Sequence, residues 1–292
     1  MALKDLLVCI DPTTAGDIRL KLAFNLARAN KAHLSGAYPL PEAQAVRGGP
    51  TGFGGVPGMT VIAEEPVSPG GAVSEAFREA EVADRVEHRF KDELRLAGID
   101  GEWHVLPDGD SAELIELAKS MDLTIMGQRP PTSRSDGAAR FRPDDIVIAT
   151  GRPILVIPYA GTFETVGKRI LIAWDGTREA NRALNDALPL LTNTEAVTVM
   201  FVGANERDLD QHRPALERIV VHLQRHGINA IPGETLRSGL AISDILLSRA
   251  ADLAADLIVT GGYHHSPLRE ALIGGVSRDL LDHMTVPVLM SH

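Results

Sequence analysis

The sequence predicts an α/β protein built from two tandem, doubly wound, five-stranded parallel-sheet domains. Three observations carry this prediction. Short apolar, β-branched runs alternate with amphipathic stretches along the chain; that order implies right-handed crossovers and a parallel sheet covered on both faces. The pattern then restarts: Arg169-Ile-Leu-Ile-Ala-Trp-Asp175 repeats Asp5-Leu-Leu-Val-Cys-Ile-Asp11. Finally, turn or glycine residues follow strands one and four of each half, where a doubly wound sheet binds ligands past its C-terminal strand ends. Asp11, Gly127, Asp175 and Gly261 all fall at such ends.

The N-terminal half reads in order as follows. Leu6–Ile10 is a strand that ends in Asp11-Pro12-Thr13-Thr14. A helix follows to about Asn30, with Leu20, Phe24, Leu26 and Ala27 as its apolar stripe. His33–Tyr38 is the second strand. Residues 39–71 hold eight glycines and six prolines and form no regular element, so they read as a surface insertion, a lid or an arm to a partner. Ser74 caps a long polar helix whose apolar positions are Phe77, Val82, Val86, Phe90 and Leu94, and Gly98 stops it. Gly101–Leu106 is the third strand, and a helix runs from Asp110-Ser111 to about Ser120. Leu123–Met126 is the fourth strand, ending at Gly127, and Pro153–Ile157 is the fifth.

The C-terminal half repeats the scheme. Helices are expected over 178–191, 214–226, 242–250 and 276–283, and strands over 169–175, 196–202, 229–235, 256–260 and 286–290. Leu257–Gly261 repeats Leu123–Gly127 and Pro287–Leu289 repeats Pro153–Leu155, so from the fourth strand onward the halves align without a gap. The expected domains are 1–160 and 168–292.

Length and composition narrow the function. A chain of 292 residues suits two domains. A net charge of −10 and a pI near 5.5 argue against nucleic acid or an anionic membrane as partner, since both need clustered Lys and Arg. No signal-peptide pattern opens the chain and no run approaches a membrane span. Cys9 is the single cysteine, so no disulfide forms within the chain and a thiolate zinc site is not expected. A cytoplasmic setting is the expectation.

The most informative stretch is Asp256–Ser291, which reads as strand, loop, helix, strand. Gly261-Gly262 ends the strand and Gly274-Gly275 opens the helix. Glycine backbone and a helix N-terminus converging on one spot make an anion cradle. The spacing Gly261-x2-His264-x9-Gly274-Gly275 resembles the nucleotide loop of the universal stress protein family, Gly-x2-Gly-x9-Gly-(Ser/Thr). His264 stands in place of the second glycine and Gly275 in place of the Ser/Thr. The flanking Asp256-Leu-Ile-Val-Thr-Gly and Val286-Pro-Val-Leu-Met also look like that family.

The resemblance implies a Rossmann-like strand order of 3-2-1-4-5, with the two domains of a tandem chain pairing as single-domain members dimerise. It places Asp175 near adenine and ribose, and Val202 as a backbone edge for adenine. Gly261, Gly274 and Gly275 would surround phosphates, with Ser277 donating a hydroxyl and Arg269 a charge. The residues also allow plainer roles: Asp175 as a turn or helix cap, Val202 as core, Arg269 on a solvated face. His264 either weakens nucleotide binding by its bulk or sets an imidazole beside a phosphate. His264-His265 lacks the spacing of a metal site, and none is expected.

The N-terminal loop differs. Gly127 aligns with Gly261, but Arg140-Phe141 replaces Gly274-Gly275. Phe141 would crowd a phosphate, so this half reads as a degenerate site, with Arg134, Arg140 and Arg142 as the alternative anion ligands. The function expected is a stress-response protein that binds ATP or a related adenine nucleotide, with or without Mg2+, at little or no turnover. No catalytic residue is assigned, because neither a Gly-x4-Gly-Lys-(Ser/Thr) loop nor a Gly-x-Gly-x-x-Gly follows a first strand. The alternative is an interaction scaffold that binds no nucleotide, and either form could pair further as a homodimer.

Overall fold

The computed structural model describes residues 2–39, 72–106, 111–129, 141–262 and 275–292, with side chains for all but 72–79. The expected insertion therefore lies outside the described residues from position 40 on, as do His264, Arg269, Gly274, Arg134 and Arg140.

Among the described residues ten strands run in chain order: β1 Asp5–Cys9, β2 His33–Pro39, β3 Gly101–Leu106, β4 Leu123–Gly127, β5 Ile154–Ile157, β6 Arg169–Ala173, β7 Ala196–Gly203, β8 Ala230–Leu236, β9 Leu257–Gly261 and β10 Val288–Ser291. The helices are α1 Thr14–Asn30, α2 Ala72–Ala97, α3 Ser111–Lys119, α4 Pro143–Thr150, α5 Arg178–Ala187, α6 Glu206–Arg225, α7 Ile242–Asp252 and α8 Gly275–His283.

Each half has the order 3-2-1-4-5, but the two halves share one sheet rather than forming two. Its order is β3-β2-β1-β4-β5-β10-β9-β6-β7-β8, parallel throughout except where β5 meets β10 antiparallel. The physical reason is the edge: β5 and β10 are fully buried apolar strands, and each would otherwise present an unpaired ladder. The register at this seam is symmetric. Leu289 lies opposite Leu155, flanked by Met290 opposite Ile154 and Val288 opposite Val156. The spacing 289 − 155 = 134 equals 261 − 127 = 134, the spacing that relates β9 to β4. An approximate two-fold axis therefore passes between the two leucines.

Strand alternation divides the core. Leu6, Val8 and Ile10 point into a layer shared with Leu22, Leu26 and Phe90, while Leu7 and Cys9 point to the opposite layer with Leu114, Ile146 and Val147. Both faces of a central strand are thus buried, as a doubly wound sheet requires.

Several elements depart from the sequence reading. α4 is not foreseen, because Ile-Val-Ile-Ala-Thr looks like strand. Its ends nonetheless carry helix signals: Pro143 in the first turn, Asp144 and Asp145 beside it, and left-handed Gly151 as C-cap. α6 starts at Glu206, eight residues before Pro214, because Asn205 caps it by accepting from Asp208 N at 3.0 Å; Pro214 sits inside the helix. α5 is shorter than expected and gives way at Leu188–Leu190 to a 3-10 turn holding Pro189. Among the described residues, no helix is long and apolar enough to cross a membrane.

Side chains close the seam. Gln128 Nε2 donates to Leu281 O at 2.9 Å and Asp282 O at 3.1 Å, and its Oε1 accepts from Tyr159 N. Asp144 accepts from Arg142 Nη2 at 2.7 Å and pairs with Arg278 Nη2 at 3.4 Å from the other half. Burial of Asp144 opposes its ionisation, but the Arg142 hydrogen bond and charge, helped by Arg278, hold the carboxyl below the ordinary aspartate value. A depressed carboxylate stabilises the fold above the unfolded-state pKa, about 3.9, and loses that effect as pH falls through the folded value. Asp144→Asn is therefore expected to lower the melting temperature at pH 7. The difference from wild type should shrink steadily below pH about 4, and a difference that stays constant from pH 7 to pH 3 would contradict the assignment.

Candidate functional site

The first helix of each half begins with the same turn. In the C-terminal half, β6 leads through Trp174 to Asp175, whose Oδ1 accepts from Thr177 N at 3.0 Å and Thr177 Oγ1 at 2.6 Å. Thr177 Oγ1 in turn accepts from Ala180 N at 3.2 Å and caps α5. In the N-terminal half Asp11 Oδ1 accepts from Thr13 N at 3.1 Å and from Thr13 Oγ1, and Thr13 caps α1 by accepting from Gly16 N at 3.0 Å. Asp175 thus closes the turn that caps α5. Its second oxygen, Oδ2, makes no hydrogen bond among the described residues, and Asp175 lines a cleft.

That cleft encloses about 270 Å3 at the strand-order reversal, between the ends of β6, β7 and β9 and the starts of α5 and α8. Its apolar wall is Trp174, Met200, Val202, Ile242 and Leu246. Its polar groups are Asp175, Thr177, Glu179, Thr260 and Ser277, with the backbones of Gly261, Gly262 and Gly275. Five residues singled out in the sequence, Asp175, Val202, Gly261, Gly275 and Ser277, therefore meet in one cavity. His264 and Gly274 lie outside the described residues.

The glycines differ in what demands them. A Cβ on Gly261 would stand 2.6 Å from Ala180 N and 2.7 Å from Glu179 C, so the close approach of α5 to β9 already requires glycine there. At Gly275 a Cβ would meet nothing within 4 Å. No packing among the described residues calls for glycine at that helix start.

The equivalent place in the N-terminal half is filled. Arg19 is buried; its Nε donates to Cys9 O at 2.7 Å, its Nη2 pairs with Asp11 Oδ2, and its Nη1 lies over Gly127. The guanidinium thus occupies the wedge between the ends of β1 and β4. Applying the spacing of the first strands, 169 − 5 = 164, its equivalent is 19 + 164 = 183, which is Ala183. Phe141, the equivalent of Gly275, is buried in the α3–α4 layer. Burial also pushes the Cys9 thiol up to about 12, the nearby Arg19 charge opposing only part of this, so Cys9 offers no thiolate at neutral pH.

Sequence reasoning missed Arg19, Glu179 and the rest of the apolar wall, Trp174, Met200, Ile242 and Leu246. Arg19 looks like a surface cation, and only laying α1 over α5 exposes the Arg/Ala contrast. Glu179 is buried at the start of α5, where the helix dipole favours a carboxylate, and pairs with Arg178 Nε at 2.5 Å.

By fold and by the position of its cleft, the protein belongs to the doubly wound α/β class that binds ligands at a strand-order reversal. Residues 167–292 match the model of the universal stress protein family. The chain is 26% identical over 215 residues to universal stress protein Slr1230 of Synechocystis sp., covering 68% of each chain. A universal stress protein of Archaeoglobus fulgidus shares its fold at a TM-score of 0.67 and 15% identity, covering 98% of this chain and 96% of that one. A putative universal stress protein from Pseudomonas aeruginosa does so at 0.58 and 19%, covering 99% and 93%.

Removing Arg19 should leave the Asp11 carboxylate without its buried partner. Arg19→Met is expected to cost about 3–5 kcal/mol in denaturant unfolding, and Asp11→Asn in the same chain to recover part of it. An Arg19→Met chain as stable as wild type would show that the guanidinium does not fill the wedge.

Proposed function

We propose that the cleft of the C-terminal half binds an adenine nucleotide, ATP or a relative with or without Mg2+, and turns it over slowly or not at all. The observation that carries this reading is the contrast between the halves: Arg19 sets a guanidinium against Asp11 in one, whereas its equivalent Ala183 is a buried core residue that brings no charge to Asp175 in the other, where a cleft remains. The open cleft offers complementary groups. Met200, Val202, Ile242 and Leu246 suit a planar apolar base, and the Asp175 carboxylate suits a ribose hydroxyl. The start of α8, with Gly275 and Ser277, suits a phosphate. Binding rather than turnover is favoured because the described lining holds no lysine or arginine to neutralise charge developing on a transferred phosphoryl group.

Within this reading, residues 1–160 and 168–292 act as two domains in a cytoplasmic protein, the first supporting and the second binding. One observation favours the scaffold alternative. Glu179 adds a buried carboxylate to the lining, and a carboxylate near the phosphate position opposes a polyphosphate.

The test copies the closed half into the open one. Ala183→Arg places a guanidinium within reach of Asp175, as Arg19 stands to Asp11. Native protein, denatured and analysed by mass spectrometry, is expected to release about one adenine nucleotide per chain. Ala183→Arg should release none and lose any thermal shift with ATP and Mg2+, while its circular dichroism stays unchanged. Undiminished binding by a folded Ala183→Arg chain would sink the site, and about two nucleotides per wild-type chain would sink the reading of the N-terminal half as closed.

A further inference from the structure

We infer that Asp144 and Arg278 act as a pairing code, fitting the seam to the chain's own opposite half and rejecting a like half from a second copy. The two residues are equivalents: 278 − 144 = 134, the spacing that relates β9 to β4 and Leu289 to Leu155. Near a two-fold axis between identical units, an equivalent position meets its own copy, and a residue there must suit itself. Here the copies have become opposite charges. Arg278 Nη2 lies 3.4 Å from Asp144 Oδ2, and Arg142 Nη2 of the N-terminal half holds the same oxygen at 2.7 Å. Two N-terminal halves joined through β5 would set Asp144 against Asp144, and two C-terminal halves joined through β10 would set Arg278 against Arg278. The Asp144 side chain is only 9% exposed, so solvent screens little of the repulsion between two aspartates, while the 57% exposed Arg278 adds less.

A second contact at the seam points the same way. Gln128 reaches across to the carbonyls of Leu281 and Asp282 at the end of α8. Its equivalent is 128 + 134 = 262, a glycine, which has no side chain to return the bond. The N-terminal half supplies the amide and the anion, and the C-terminal half supplies the carbonyls and the cation. Each half is therefore shaped for the other. The partner that fits either strand edge is the opposite half, and a second copy can enter the seam only by exchanging halves reciprocally. This inference stands apart from nucleotide binding, since the seam contains none of the cleft residues.

The test uses the full-length chain. Asp144→Arg and Arg278→Asp are each expected to lower the melting temperature by roughly 3–8 °C. Both together should recover at least half of the larger loss. Losses that simply add would overturn the code. If the reversals do not fold, Asp144→Asn and Arg278→Gln serve the same cycle: the double variant should lose no more than the worse single one, and additive losses again overturn it. Specificity is read from mass. Asp144→Arg and Arg278→Asp chains, unfolded together and refolded, can regain opposite charges at both seams by exchanging halves. Light scattering should then find a species of twice the chain mass in the mixture and not in either variant alone. A mixture that stays at the single-chain mass overturns the code as a pairing device.

Discussion

Both halves depend on one small constraint, the aspartate–threonine turn that joins the first strand to the first helix. A carboxylate oxygen accepts from the threonine two residues on, and that threonine caps the helix. The turn fixes where the helix starts, and so how closely it approaches the fourth strand. In the C-terminal half the approach leaves no room for a Cβ on Gly261. The other carboxylate oxygen is not used by the turn. The aspartate stands beside the point where the strand order reverses, and what meets it there separates one half from the other.

In the N-terminal half a guanidinium meets it. A buried cation is costly unless paired, and Arg19 has its pair, a strand-end carbonyl as well, and a glycine to lie over. A wedge closed by side chains needs no ligand to complete it. In the C-terminal half a methyl group stands at the same helical position, and Asp175 lines a cavity with an apolar wall, bordered by the first residues of α8. The difference between a filled core and a binding cleft thus rests on very few positions, chiefly 19 against 183 and 141 against 275, on an otherwise shared frame.

How much of this was legible in the sequence follows from the kind of signal each feature leaves. The strands were legible because burial on both faces writes continuous apolar runs, as in Leu6–Ile10 and Leu257–Thr260. The duplication was legible because those runs recur at fixed offsets. Asp175, Val202, Gly261, Gly275 and Ser277 could be brought together before any coordinates, since each falls at the end of a strand or the start of a helix. The α4 helix was hidden because its apolar residues are β-branched and its evidence lies only in its caps. Arg19 was hidden for a deeper reason: nothing local distinguishes a buried arginine from a solvated one, and its partners Cys9, Asp11 and Gly127 come together only through the sheet. The merging of two sheets was likewise invisible, since the pairing of β5 with β10 joins residues more than 130 positions apart.

The continuous sheet changes what the closed half is for. Had the halves folded as separate sheets, β10 would end the C-terminal half as an exposed edge immediately beside β9, the strand whose end forms the cleft. Pairing with β5 instead buries β10 completely and anchors β9 from its far side, through Val288–Ser291 against Ile258–Gly261. Gly262 donates to Ser291 O at 2.7 Å, and His292 Nδ1 lies 2.9 Å from Gly262 O. The backbone that leaves β9 toward the cleft is thus held from the seam. A half that has lost its own cavity still governs the cavity of its neighbour, because it supplies the rigid strand on which that neighbour's last two strands are set.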